Sequence, residues 1–155
     1  MKMEKYPILE FDDTLVAKIE PSFSHKKTDG FEYCVITFFR EVLENMEKKE
    51  LIRVVKYLNC KTMDVPIYEM ESMGKKIHLF LGYVGAAGSA AFLEELIAYG
   101  FNKFIVCGGA GVLREDIAIG LLVIPVSAVR DEDVSYHYLA PTREIVCNPD
   151  VVEKI

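Results

Sequence analysis

The chain has 155 residues and a mass of 17.6 kDa; 51% of it is hydrophobic, with a mean hydropathy of +0.17. That is one domain's worth of sequence, apolar enough to bury a core and too apolar for wholesale disorder. The 24 acidic and 18 basic residues give a net charge of −6 and a pI near 5.1, which argues against nucleic acid and anionic membrane surfaces as partners.

The N-terminal arm, residues 1–30, is mixed in charge and punctuated by Pro7, Pro21 and Gly30. It has no apolar core of a signal peptide, and one short element is expected around Thr14–Ile19. The rest, 31–155, reads as a single domain. Tyr33–Phe38 is β-prone and predicts a buried strand. Glu41–Tyr57 carries Val42, Leu43, Met46, Leu51, Ile52, Val54 and Val55 at helical spacing, as one helix or as two broken near Lys49. Val65–Met73 and Ile77–Val84 predict two strands joined through a Gly74-Lys75-Lys76 turn. A small-residue loop, Gly82–Gly88, leads to Ser89 as N-cap of a helix over Ala90–Tyr99, which Gly100 stops. Lys103–Cys107 predicts a short strand running into Gly108-Gly109-Ala110-Gly111.

Gly120–Arg130 predicts another buried strand, and Asp131–Pro141 a polar, aromatic loop. The longest apolar stretch, Ile117–Val129, is interrupted and too short to span a bilayer. Asn148-Pro149-Asp150 has the chemistry of a helix start: a capping side chain, proline in the first turn and an acid beside it. Strand, loop and helix alternating through Ile77–Arg130 predict an α/β fold with a mixed central sheet flanked by helices. The four cysteines, Cys34, Cys60, Cys107 and Cys147, stand at no metal-ligand spacing and read as reduced thiols, so a cytoplasmic protein without a metal is expected.

Ligands of α/β sheets bind outside the carboxyl ends of the strands. Gly82–Gly88 and Gly108–Gly111 lie at such ends. Glycine lets backbone N–H groups approach a ligand closely, or else serves only tight turns and close packing. The Gly82, Gly85, Gly88 spacing does not match the dinucleotide fingerprint, and no Gly-Lys-Ser/Thr follows for a P-loop.

Three ordered blocks carry a family resemblance over more than a third of the chain. Val84-Gly85-Ala86-Ala87-Gly88-Ser89-Ala90-Ala91 with Leu93-Glu94-Glu95-Leu96 is the first. Phe104 to Gly111 is the second, and Gly120–Ala128 with Ser135-Tyr136-His137-Tyr138-Leu139-Ala140-Pro141 the third. Together they resemble the nucleoside phosphorylase family, which includes uridine phosphorylase, purine nucleoside phosphorylase and methylthioadenosine nucleosidase. The last block is most similar to the uridine phosphorylase branch. The resemblance implies transfer of a ribosyl group from a nucleobase to phosphate, or to water, with no cofactor. It also implies a homo-oligomer with sites at subunit contacts. As the family's ribose-gripping Met-Glu pair and its late acid belong to a C-terminal half, the match covers the N-terminal part of that fold and is expected to be incomplete at its C-terminus.

Carried onto this sequence, the resemblance places nucleoside or phosphate contacts at Gly85, Gly108, Gly109, Ala110 and Gly111, with Arg40, Arg130 and His137 as side-chain candidates. Arg130 either contacts base or phosphate or pairs with Asp131, Glu132 or Asp133; His137 either meets a base or packs in its loop. His25 is either lent to a neighbouring subunit or solvated.

The departures bear on phosphate. Val106 stands where the phosphorylases place an arginine, and Gly109 where they place a hydroxyl. Phe38-Phe39 stand where a Gly-Asp-Pro loop is expected, with Arg40 as that loop's arginine. Met63 falls near a partner-donated arginine. A phosphate dianion depends on such charge-assisted bonds. Three readings therefore stay open: phosphorolysis, hydrolysis, and a non-catalytic relative that binds nucleoside or only assembles.

Overall fold

Strand geometry in the computed structural model, which describes residues 3–155, follows the apolar pattern through most of the chain. The chain forms two compact units: Val16–Gly109, and Met1–Leu15 with Ala110–Ile155. The first two residues of the arm lie outside the described residues.

The unit Val16–Gly109 contains, in order, α1 (Pro21–Ser24), β1 (Tyr33–Thr37), α2 (Arg40–Lys48), β2 (Arg53–Asn59), β3 (Asp64–Ser72), β4 (Lys75–Leu81), α3 (Ala86–Tyr99) and β5 (Lys103–Cys107). The strands form one five-stranded sheet in the order β2-β3-β4-β1-β5. β1 runs parallel to β4 and β5, while β2–β3 and β3–β4 are antiparallel. The sheet is thus mixed, with helices packed on it, as the α/β reading anticipates.

The two faces bury different helices. On one, Cys34, Leu58, Val65, Ile67 and Phe80 pack with Leu96 and Tyr99 of α3 and with Phe31 and Phe101. On the other, Ile52, Tyr68 and Leu79 pack with Leu43 of α2. Each large apolar side chain buried in this way stabilises the fold by about 1.5–3 kcal/mol. Burial pushes the Cys34 thiol up to about 12, which leaves it an inert core group.

Three expectations for this unit are corrected. The helical reading of Glu41–Tyr57 holds only for α2: the chain turns at Glu50 (φ 54°), and Arg53–Asn59 is a strand paired antiparallel with β3. The run Leu51-Ile52-Arg53-Val54-Val55-Lys56 fits both periods, and its β-branched residues fit the pleated sheet better. The hairpin turn is Met73-Gly74, both at positive φ (51° and 70°), with Ser72 paired to Lys75, so Lys75 and Lys76 already belong to the strand. Finally, α3 starts at Ala86 with Gly85 as N-cap, at φ 105°, and Ser89 lies inside the helix. Gly100 ends α3 as expected, at φ 118°.

The unit Met1–Leu15 with Ala110–Ile155 is smaller in structure. A 3-10 turn at Pro7–Leu9 packs on another at Val134–His137. β6 (Ser127–Val129) pairs antiparallel with β7 (Glu144–Val146). The expected buried strand Gly120–Arg130 is therefore corrected to three residues. β7 offers only three partners, and Leu121, Leu122, Val123 and Val126 are exposed. No regular element forms over Thr14–Ile19. The chain closes with α4 (Pro149–Val152), where the Asn148 side chain accepts from the Asp150 amide at 2.9 Å, the cap that the sequence predicts.

Candidate nucleoside site

In the parallel part of the sheet, Thr37 pairs with Leu81 on one side and Cys107 on the other. β4, β1 and β5 therefore finish level, and the segments leaving them start side by side: Gly82-Tyr83 after β4, Phe38-Phe39 after β1, and Gly108-Gly109 after β5. The first residues are cross-tied. The Phe38 amide donates to the Cys107 carbonyl at 3.0 Å and the Gly82 amide to the Thr37 carbonyl at 2.8 Å. The Phe39 amide donates to the buried Thr37 hydroxyl at 3.2 Å.

Phe38 fills the space between the two glycine turns. A Cβ on Gly82 would lie 2.8 Å from Cε1 and Cζ of the Phe38 ring, and a Cβ on Gly108 3.1 Å from its Cδ2. Phe39 lies 3.8 Å from the corresponding point on Gly109. Glycine at 82 and 108 makes room for this ring. The rings are not sealed in: Phe38 is 39% exposed, Phe39 43% and Tyr83 43%.

Beside Phe38, a cavity of about 250 Å³ lies between α3 and the sheet, lined by Ile36, Phe80, Tyr83, Phe92, Phe104 and Val106 among others. Its character is apolar. Tyr83 is fixed at its edge by three contacts. The ring rests against Gly88, where a Cβ would come within 2.2 Å of Cδ1. It meets Phe92 edge-on at 5.7 Å, and its carbonyl accepts from the Ser89 hydroxyl at 2.6 Å. Ser89, expected as a cap, thus serves to hold Tyr83.

Of the candidates drawn from the sequence, the carboxyl ends bring together Gly108, Gly109, Arg40 and Gly85. Arg40 opens α2 and is exposed, and Gly85 caps α3 with nothing within 4 Å of its would-be Cβ. Ala110, Gly111, Arg130 and His137 belong to the other unit. Ala110, Gly111 and His137 are exposed there, whereas Arg130 is buried among the loop Asp131–Thr142. Its guanidinium bonds to Ser135, Leu139, Ala140 and Thr142 rather than to a neighbouring carboxylate. His25 is tied down as well: its Nε2 lies against the Glu95 carboxylate of α3, and its ring sits tilted against Tyr99 with centroids 4.5 Å apart.

Two features of this geometry were not read from the sequence. One is Phe38 as a ring closing both glycine turns; the only signal was a pair of phenylalanines where the resemblance calls for small and acidic residues. The other is the Tyr83–Gly88 contact, signalled by an aromatic five residues before a glycine in a helix start. Among the described residues no group of His, Cys, Asp and Glu is placed to hold a metal ion, and no helix is long and apolar enough to cross a membrane.

Comparison with known proteins bears on this geometry. A family model described as the phosphorylase superfamily matches residues 32–155. A guanosine phosphorylase of Halorubrum lacusprofundi is 33% identical over 55 residues, which cover 36% of this chain and 23% of that protein. The crystal structure of a 5'-methylthioadenosine/S-adenosylhomocysteine nucleosidase from Neisseria meningitidis, in complex with methylthio-immucillin-A, superposes with a TM-score of 0.54 at 22% identity. That match covers 79% of this chain and 55% of the nucleosidase chain. The likeness shows the fold, and the chain spans about half of that structure's length.

Proposed function

This chain belongs to the phosphorylase superfamily, and we propose that it supplies a nucleoside site at the carboxyl ends of β4, β1 and β5, where an N-glycosidic bond is cleaved by water rather than by phosphate. The observation that carries this reading is the Phe38 ring against Gly82 and Gly108. A dianion needs the amides of such turns and cationic side chains. Here an apolar ring covers both turns, and Val106 follows the same chemistry on β5. A nucleobase, by contrast, has flat apolar faces that stack on half-exposed rings such as Phe38, Phe39 and Tyr83.

In the proposed reaction, the water oxygen bonds to the anomeric carbon as the bond to the base nitrogen breaks. The base leaves with the electron pair and takes a proton, so nucleoside and water give free ribose and base. The transition state carries positive charge on the sugar, and an uncharged nucleophile suits an apolar pocket whose one neighbouring candidate cation, Arg40, is exposed. The test is base release from guanosine, inosine, adenosine, uridine and methylthioadenosine, with and without phosphate. A rate independent of phosphate is expected; a rate that requires phosphate overturns the hydrolytic reading, and tight nucleoside binding without turnover replaces it with a non-catalytic one.

A second reading is phosphorolysis of the uridine phosphorylase type. It is favoured by the block Tyr136–Pro141, whose backbone Arg130 holds in one conformation, and by the phosphorylase among the relatives. Under both readings the protein works in the cytoplasm as a homo-oligomer, without a cofactor. Exposed apolar residues on α2 and around β2, including Val42, Leu51 and Tyr57, are the surface available for assembly.

A further inference from the structure

Only Phe38 and Phe39 connect β1 to α2, and this short connection is tied at both ends. On the α2 side, the Val42 and Leu43 amides donate to the Phe39 carbonyl at 3.1 and 3.3 Å. On the β1 side, the Gly82 amide donates to the Thr37 carbonyl at 2.8 Å and the Phe38 amide to the Cys107 carbonyl at 3.0 Å. The Phe39 amide turns back to donate to the Thr37 hydroxyl at 3.2 Å, its partner among the described residues. Of these ties, only the last uses a side chain.

Thr37 is 5% exposed. Alternation along β1 puts it on the same sheet face as Val35, whose cross-strand partner Leu79 packs with Leu43 of α2. That apolar layer would accept valine, which has the same shape without the polar atom and suits a strand equally well. What threonine adds is an acceptor for an amide two residues on, the local bond from main chain to side chain that closes a turn. The branched Cβ restricts χ1, so the oxygen is held in place for that amide. The turn it closes carries the Phe38 ring against Gly82 and Gly108 and brings Phe39 beside Gly109, with both rings part-exposed.

We infer that Thr37 is a positioning residue of the nucleoside site, its buried hydroxyl fixing the turn that presents the Phe38 and Phe39 rings to a base. The inference rests on the nucleoside reading proposed above. Thr37 acts through the rings and not on the ligand. A ring already held in one orientation loses less freedom when a base stacks on it. Stacking on the base acts on bound substrate and transition state alike, so its loss raises KM and leaves kcat in place.

Two pairs of full-chain proteins isolate the hydroxyl: the parent against Thr37→Val, and Thr37→Ser against Thr37→Ala. The substrate is whichever of guanosine, inosine, adenosine, uridine and methylthioadenosine the parent cleaves fastest; if the parent binds without turnover, Kd takes the place of KM. In each pair the protein without the hydroxyl is expected to show a KM at least about tenfold higher, with kcat within about twofold. Amide exchange at Phe39 is expected to be at least about tenfold faster in Thr37→Val and Thr37→Ala, while the amides of β1 keep the protection of their paired protein. If the valine variant does not fold, the serine and alanine pair carries the same comparison. Equal KM within a pair, a loss in kcat at constant KM, or unaltered exchange at Phe39 overturns the inference and leaves the nucleoside reading standing. A parent that neither binds nor cleaves any of the nucleosides overturns that reading, and the inference with it.

Discussion

Arg130 and Tyr136 hold one another twice: the guanidinium lies over the Tyr136 ring, 4.5 Å from its centroid, and the Tyr136 hydroxyl donates to the Arg130 carbonyl at 3.0 Å. Four further bonds from the guanidinium gather the segment Ser135–Thr142 around it. Arg130→Ala removes the ring contact and the four guanidinium bonds at once, leaving only the bond from Tyr136 to the main-chain carbonyl, and is expected to cost at least about 2 kcal/mol locally. Amide exchange at Tyr138 and Leu139, both bonded to the Ser135 carbonyl, is expected to accelerate well over tenfold. Unchanged protection there would mean that the loop folds without the arginine.

Phe38→Ala uncovers Gly82 and Gly108. The ring is half-exposed, so the expected loss of stability is small, about 1–2 kcal/mol. Under the hydrolytic reading the parent releases base at a rate insensitive to phosphate. Phe38→Ala is expected to make that rate respond to phosphate. A rate still insensitive to phosphate would show that the ring is not what excludes the dianion.

Gly100 stands at φ 118°, and a Cβ there would meet the Phe31 carbonyl oxygen at 3.4 Å. An alanine would be strained in that backbone conformation however much space it had. Gly100→Ala is expected to destabilise the fold by about 1–3 kcal/mol, read as a lower midpoint in urea with an unchanged slope. A midpoint within error of the parent would contradict the helix ending described here.

His78 is fully buried beside Phe31 and Phe101, at 4.4 and 5.1 Å between centroids. Among the described residues neither ring nitrogen has a well-aligned hydrogen-bond partner. Burial lowers its pKa below the usual value, against the opposing pull of Glu69, whose carboxylate is 3.5 Å away. Glu69 is itself held below the carboxylate range, chiefly by its bond from Arg53 and also by Lys76. Because the unfolded chain binds the histidine proton more readily than the folded one, stability is complete above about pH 6.5 and falls as the pH drops toward the folded pKa. The limiting slope is about 1.4 kcal/mol per pH unit for one proton. His78→Leu is expected to flatten denaturation midpoints between pH 6.5 and 5; an unaltered slope would assign the acid sensitivity to other groups.

Leu96 is fully buried where α3 meets the sheet. Leu96→Ala is expected to cost about 2–5 kcal/mol, measured by thermal or urea unfolding. A loss below 1 kcal/mol would imply that α3 is not docked on this face.

Legibility in the sequence varied with how many physical signals agreed. Lys103–Cys107 was readable to the residue because an apolar run ends at a glycine pair, and so was the end of α3, because its apolar stripe stops at Gly100. Leu51–Leu58 was not, since its apolar positions satisfy both the helical and the alternating period and only the sheet decides. Leu121–Val126 is as apolar as a buried strand, but hydrophobicity does not supply a partner, and β7 has only three residues to offer. The site divides in the same way. Glycines at strand ends were visible, whereas the ring that occupies the room they create is a tertiary contact between Phe38 and residues more than 40 positions away. Arg130 was visible as a candidate, but its carbonyl partners depend on a loop conformation that no local pattern specifies.

The hairpin between β3 and β4 leaves a chemical mark on the molecule. Met73 takes a left-handed backbone conformation and is 99% exposed, so its thioether contributes nothing to either packed face. Peroxide reaches that sulfur freely, and the sulfoxide it forms disturbs no buried neighbour. Oxidation at Met73 therefore leaves the sheet beneath it in shape.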